Sequence, residues 1–418
     1  MRQITGRWIL MVAIILLLDW YVYQGVKTIC QSASEKFRIA IALVYWGITV
    51  LTVFMVLFYP WMQRFPGMKN ILTYVFAIVL GLFFAKVLAL IFLLIDDIRR
   101  GALWMMSKLF RDSGAHYLDS DSTIPRSAFL SWLGLGVGGT LFGTLVYGFS
   151  NKYNYHTRRL TLNFTNLPRG FDGFKFVQFS DVHAGSFHNK RAVARGVDMI
   201  LREKPELVLF TGDLVNDRAS EMQDYSDLFS AVKAPMGVFS TLGNHDYGDY
   251  TTWNSAAEKE RNLTELKKIH AGMGWNLLMN EHSILRRNGD EIALLGIENW
   301  SAKARFPKHG RMDLAYPGTE KYPFKMLMSH DPSHWDAQVR PHYPKIDLTL
   351  SGHTHGMQFG VELPHFKWSP VQWVYKQWAG LYEEGSQKLY VNRGFGFIGY
   401  PGRVGILPEI TVFTLRRS

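Results

Sequence analysis

A single cysteine, Cys30, stands in 418 residues, so no intrachain disulfide can form and a disulfide-stapled secreted scaffold is excluded. Although the formal net charge is +11, no run of five or more basic residues occurs, and a nucleic-acid-binding tail is not expected. Low-complexity tracts and internal repeats are also missing, which excludes a repeat array. Charge itself is missing from two long stretches, about residues 39–62 and 128–149. A soluble core helix needs one wet face, so each of these runs predicts a bilayer span.

Two further apolar runs, about 8–26 and 71–95, carry one charge each, Asp19 and Lys86. Both have about the ~20 residues needed to cross a hydrocarbon core. A cleaved signal peptide explains one such run and not four, so residues 1–150 are expected to form a four-helix transmembrane region. The first and third spans cross in the same direction, which sets Asp19 and Lys86 at similar depth. A lone charge there is costly, and the two are expected to pair or to face a polar interior. Much of the basic excess flanks the runs (Arg64, Lys69, Arg99, Arg100, Lys108, Arg111), as residues facing anionic headgroups do.

Four spans place both ends of this region on one side of the membrane. Basic residues divide almost evenly between the two sets of loops, so the positive-inside rule decides little. The segment "PRSAFLSWLGLGVGGTLFGTLVYG" (125–148) resembles a degenerate twin-arginine export signal with Pro125 where the first arginine belongs. Export signals keep their basic end in the cytoplasm. Everything after residue 150 is therefore expected outside the cytoplasmic membrane.

From about Tyr155 short β-branched and apolar runs alternate with helical patterns, as in "FKFVQFS" (174–180), "AVARGVDMILRE" (192–203) and "LVLFTG" (207–212). This texture predicts one α/β layered domain over 151–418, with two sheets face to face and helices outside. "ILRRNGDEIALLGI" (284–297) reads as a hairpin turning at Asn288-Gly289-Asp290.

Polar residues gather where the predicted strands end. Asp181 and His183 follow the first strand in "SDVH", Asp213 follows the second in "TGDLVND", and Asn244, His245 and Asp246 follow the third in "LGNHDYG". His330 ends "KMLMSHDP", and His353 and His355 lie in "SGHTHG". Loops at the carboxyl ends of strands in open α/β folds converge on one crevice, so these segments would meet. Two aspartates, one asparagine and four histidines with no thiolate suit Mn, Fe, Zn or Mg. Seven ligands exceed the needs of one ion, whereas two ions about 3.5–4 Å apart, bridged by one carboxylate, would use them all.

These motifs, in this order, resemble the calcineurin-like metallophosphoesterase superfamily. The tail "LYVNRGFGFIGYPGRVGILPEITVFTL" (389–415) further resembles its bacterial membrane-associated or exported subgroup. The resemblance implies a four-layer α/β/β/α sandwich after the four-helix transmembrane region, with a centre of two divalent ions. Asp181, His183, Asp213 and His355 would hold one ion. Asp213, Asn244, His330 and His353 would hold the other, with Asp213 shared. His245 would be the catalytic residue, protonating the leaving oxygen or steadying the phosphoryl charge. The implied activity is hydrolysis of a phosphomonoester or phosphodiester, a phosphodiesterase activity included, by a hydroxide shared between the ions, manganese being one candidate metal.

Asp246 is expected to orient His245 or a ligand, and Asn216 and Asp217 could do either. Arg393 and Arg403 lie in glycine-rich loops where a guanidinium could clamp phosphate. "ELPHFKWSPVQWVYKQWAG" (362–380) mixes aromatic and basic residues, as suits a bilayer interface or the acyl part of a lipid substrate. The alternatives are a pyrophosphatase acting on a lipid-linked nucleotide sugar such as UDP-2,3-diacylglucosamine, and a non-catalytic membrane receptor or scaffold.

Overall fold

Unbroken Leu, Ile, Val and Phe runs can satisfy their backbone groups in lipid only as helices, and the amino-terminal runs are helical throughout. In the computed structural model, which describes residues 2–62, 65, 68–109, 126–303, 306 and 308–418, they form α1 (Arg2–Ile29), α2 (Glu35–Met62), α3 (Lys69–Leu109) and α4 (Ala128–Gly148). Arg64, Arg111 and Pro125 lie outside the described residues. All four helices are long and apolar enough to cross a membrane. α3 has 41 residues and continues past the expected end at Ile95, because "DDIRRGALWMMSKL" is rich in helix formers and only Gly101 opposes them.

Lys86 Nζ lies 2.6 Å from Asp19 Oδ1, and the Thr49 hydroxyl donates to the other carboxylate oxygen. The expected pair is therefore formed, with Asp19 only 1% exposed. Arg126, from the export-like segment, is 2.9 Å from Asp97, and the Ser127 N–H donates to Asp96 Oδ2 at 2.9 Å. Removing one member of a buried pair leaves the other uncompensated, at a cost of roughly 3–5 kcal/mol. The Lys86→Met variant is therefore expected to melt well below the parent in detergent, and Asp19→Asn added to it should recover much of the loss. Equal melting of single variant, double variant and parent would remove the pair from the stability of the bundle.

The chain divides into the compact units Met1–Tyr147 and Gly148–Ser418. In the second unit, β1 (His156–Phe164), β2 (Lys175–Phe179), β3 (Leu207–Phe210), β4 (Val238–Ser240) and β5 (Trp275–Leu277) belong to one sheet. A second sheet holds β6 (Glu281–Arg287), β7 (Asp290–Gly296), β8 (Lys325–Met328) and β9 (Leu348–Ser351). After a two-stranded ribbon, β10 (Val361–Leu363) and β11 (Phe366–Trp368), the second sheet gains β12 (Gly380–Glu384) and β13 (Gln387–Val391). The last strand, β14 (Glu409–Arg417), returns to the first sheet between β1 and β2. The β6–β7 turn is the expected hairpin: Arg287 pairs with Asp290 while Asn288 and Gly289 both take positive φ, 51° and 85°.

Side chains alternate across each strand and so sort the core into three layers. Leu207 and Leu209 join Met326, Met328, Leu348 and Leu350 between the sheets. Val208 and Phe210 face outward against Val193, Val197 and Ile200 of α5 (Lys190–Arg202). On the far side Leu295 and Leu327 meet Trp335 and Val339. The result is the expected helix, sheet, sheet, helix sandwich. β2, β3 and β4 run parallel, as do β8 and β9, so each group sends its carboxyl-terminal loops to one edge.

Candidate metal centre

Each motif sits where its strand stops. Asp181 and His183 follow β2, Asp213 follows β3, Asn244 follows β4, His330 follows β8, and His353 and His355 follow β9. Five of these seven residues take left-handed backbone: Asp181 (φ 55°), His183 (49°), Asp213 (59°), His353 (72°) and His355 (51°). Such conformations cost of order 1 kcal/mol or more each, and they persist where surrounding structure over-determines them. Close approach explains two neighbouring glycines. A Cβ on Gly243 would lie 2.2 Å from Asp213 Oδ1, and one on Gly352 would lie 2.2 Å from Asp181 Oδ2.

The side chains form two adjoining clusters, Asp181, His183 and His355 in one and Asp213, His330 and His353 in the other. His183 Nε2 is 3.0 Å from His355 Nε2, which is 3.4 Å from Asp181 Oδ1. Asp213 Oδ2 lies 3.0 Å from His330 Nε2 and 3.6 Å from His183 Nε2, so one carboxylate oxygen reaches both clusters. Asn244 Oδ1 joins the second, 2.7 Å from His353 Nδ1.

Surrounding groups set the tautomers. His330 Nδ1–H donates to the Thr211 carbonyl at 2.7 Å, which turns Nε2 toward Asp213. Tyr375 donates to Asp331 Oδ2 at 3.2 Å, so its oxygen can accept from His353 Nε2–H at 2.7 Å and leave Nδ1 facing the cluster. Asn244 Nδ2 donates to the Tyr250 hydroxyl at 2.8 Å, turning Oδ1 inward. The Asp246 carboxylate accepts the backbone N–H groups of Asp213, Leu214 and Gly243 at 2.8–2.9 Å, so it holds the loop carrying Asp213 rather than the His245 ring. His245 Nδ1 lies 2.8 Å from the Asn216 carbonyl, and the His245 backbone N–H donates to Asp213 Oδ1 at 2.8 Å.

Burial pushes His183 down to about 3 and His353 down to about 4, so both rings are neutral and offer lone pairs. Burial opposes charge on His330 too, yet Asp213 beside it raises it to about 10. The acid-bearing floor therefore favours positive charge. Convergent carboxylate and amide oxygens and imidazole nitrogens, without sulfur, fit two hard-to-borderline divalent ions.

The clusters floor a cleft of about 600 Å³. Apolar side chains also line it, Phe306, Met357, Val371, Val374 and Ile398. No lysine or arginine is among the described residues that line it. Arg393 and Arg403 are not brought there. Arg393 is buried between Glu409 (2.5 Å) and Glu362 (2.6 Å), and Arg403 is buried with its donors on the carbonyls of Arg393 and Gly394 and on His355 Nδ1, at 2.7–3.3 Å. Buried among these protein acceptors and absent from the cleft lining, neither is placed to clamp phosphate there, and Arg403 braces His355 from behind. Tyr250 and Phe306 were not singled out from the sequence. Asp331 adjoins His330 in "SHDP", and that adjacency was the only signal for it.

Residues 6–152 match the family described as "Probable Calcineurin-like phosphoesterase, transmembrane domain", and residues 174–357 match "Calcineurin-like phosphoesterase". The metallophosphoesterase YkuE of Bacillus subtilis is 32% identical over 65% of this chain and 90% of its own length. A transmembrane protein with metallophosphoesterase domain from Danio rerio is 30% identical over 60% of this chain, which spans 55% of that relative's length. The UDP-2,3-diacylglucosamine pyrophosphatase LpxG of Chlamydia trachomatis is 26% identical over 60% of this chain and 88% of its own length.

Proposed function

Because the chain belongs to the calcineurin-like phosphoesterases and is an integral membrane protein, we propose that it is a membrane-anchored phosphoesterase using two divalent ions (Mn, Fe, Zn or Mg) to hydrolyse a phosphomonoester or phosphodiester. The observation that carries this reading is Asp213 Oδ2, within 3.6 Å of ring nitrogens in both Asp/His clusters on the cleft floor. Asp181, His183, Asp213 and His355 would hold one ion, and Asp213, Asn244, His330 and His353 the other. When bound, the ions acidify water for attack at phosphorus and neutralise phosphoryl charge.

The chain's own groups do the rest. With Nδ1–H donated to the Asn216 carbonyl, His245 would deliver a proton from Nε2 to the leaving oxygen. Asp246 holds the backbone on which Asp213 sits, and Tyr250 and Tyr375 keep Asn244 and His353 turned inward. The ions and His245 would meet the substrate's charge.

The full-length protein purified in detergent should carry two divalent ions and turn over a p-nitrophenyl phosphoester. Chelation should abolish turnover, and added metal should restore it. Undiminished turnover after complete metal removal would sink the reading, and metal without turnover of any phosphoester would favour a receptor or scaffold. The apolar side chains lining the cleft favour one second reading, a pyrophosphatase acting on a lipid-linked nucleotide sugar, for which UDP-2,3-diacylglucosamine is the assay substrate.

The export-like segment led by Arg126 supports a catalytic unit outside the cytoplasmic membrane. Protease added to intact spheroplasts is expected to remove the unit after residue 150. Protection until lysis would place it in the cytoplasm instead.

A further inference from the structure

The β10–β11 ribbon is built inside out. Its register pairs Val361 with Trp368 and Leu363 with Phe366, so these four side chains share one face, while Glu362 and Lys367 pair on the other. The charged face is the one turned toward the domain. Glu362 is 2.7 Å from Arg158 and 2.6 Å from Arg393, and Lys367 Nζ donates to the Ala379 carbonyl at 2.6 Å. The apolar face looks outward, with Val361 43%, Leu363 59% and Phe366 55% exposed. Trp373, 74% exposed, continues the patch, its ring 6.1 Å from that of Trp368.

A ribbon meant for water would reverse these faces at no cost to its backbone pairing, since a one-residue change of phase exchanges them. Contiguous outward apolar residues of this kind mark an interaction surface. Tryptophan and phenylalanine beside exposed cations are what a headgroup boundary selects, and Lys376, three residues after Trp373, is exposed. The patch is also continuous with the cleft, because Met357 and Val374 line the cleft and are themselves 57% and 50% exposed. A chain held in a membrane by four spans keeps a bilayer within reach of such a surface.

We propose that this ribbon and Trp373 form a docking surface for a lipid bilayer containing anionic headgroups, seating the mouth of the cleft at the headgroup boundary. Docking here is a property of the surface and does not depend on turnover.

The test uses the full chain reconstituted in vesicles of phosphatidylethanolamine and phosphatidylglycerol. On a Cys30→Ser background, Leu363→Cys, Phe366→Cys and Trp373→Cys each receive one nitroxide label, with Gln223→Cys as the water-exposed control. Collision with oxygen against collision with a water-soluble nickel chelate should place the three labels ~5–10 Å below the headgroups and the control in water. Water-like accessibility at all three positions overturns the proposal. Dipolar broadening between labels on two chains, with the nickel chelate excluded, also overturns it and makes the occupant a second copy.

Discussion

Replacing Asp213 with alanine is expected to take phosphoester turnover to background and metal content from two ions per chain to below one. Asp213 Oδ2 is the one oxygen placed 3.0 Å from His330 and 3.6 Å from His183, so its loss removes a ligand from both ions together. Loss of a group that merely supports a ligand typically costs ~10–100-fold, and loss of the shared ligand must exceed that. Unfolding is not the expected cause. Burial holds Asp181 up to about 6 and Asp246 up to about 7, and the Asp213 charge adds to both while it also sustains the charge on His330, so its removal relieves repulsion and loses attraction together and the two changes oppose each other in the metal-free floor. A melting curve near the parent's together with lost metal is the predicted signature. A variant that keeps two ions and parental turnover would refute the shared-ligand assignment.

His245→Asn is expected to separate chemistry from binding. The ring is not in either Asp/His cluster; it packs 4.9 Å from the His183 ring and 4.4 Å from that of Tyr250, beside the cleft. Removing a general acid costs ~10²–10⁴ in kcat. Metal content should stay at two ions per chain, and the loss should shrink for substrates whose leaving group needs no proton, such as p-nitrophenolate. Loss of one ion from this variant would instead make His245 a ligand.

Much of this protein is legible in its sequence because the relevant signals are local. Charge-free apolar runs predict spans wherever they fall, and α2 and α4 follow them closely. Alternating strands and helices predict layered sheets, and a residue directly after a buried strand must emerge at the sheet edge, which is why Asp181, Asp213, Asn244, His330 and His353 could be named together. Asp19 and Lys86 were paired by depth alone, because a charge in hydrocarbon has few other solutions.

Where the signal is local and the partner distant, sequence and structure differ. Glycines around Arg393 and Arg403 suggested open phosphate loops. Folding instead brings Glu409 and Glu362 against Arg393, and closes backbone carbonyls over Arg403. Of the two roles expected for Asp246, orienting His245 or a ligand, its contacts favour the second, since its carboxylate gathers the backbone of the loop that carries Asp213.

By itself the sequence determined the membrane region, the layered fold, and a candidate metal-binding set with its order along the chain, all of which follow from composition and period over a few residues. Tertiary structure alone decided that the set divides into two clusters meeting at Asp213, that five of its members are held in left-handed backbone, that Tyr375 links His353 to Asp331, and that the β10–β11 ribbon turns its apolar face outward. Those facts depend on contacts between segments as far as 204 residues apart, as Arg158 and Glu362 are, or 172, as in the His353 N–H on Asp181 at 2.9 Å, and no local period encodes the distance between two loops that meet only when two sheets pack.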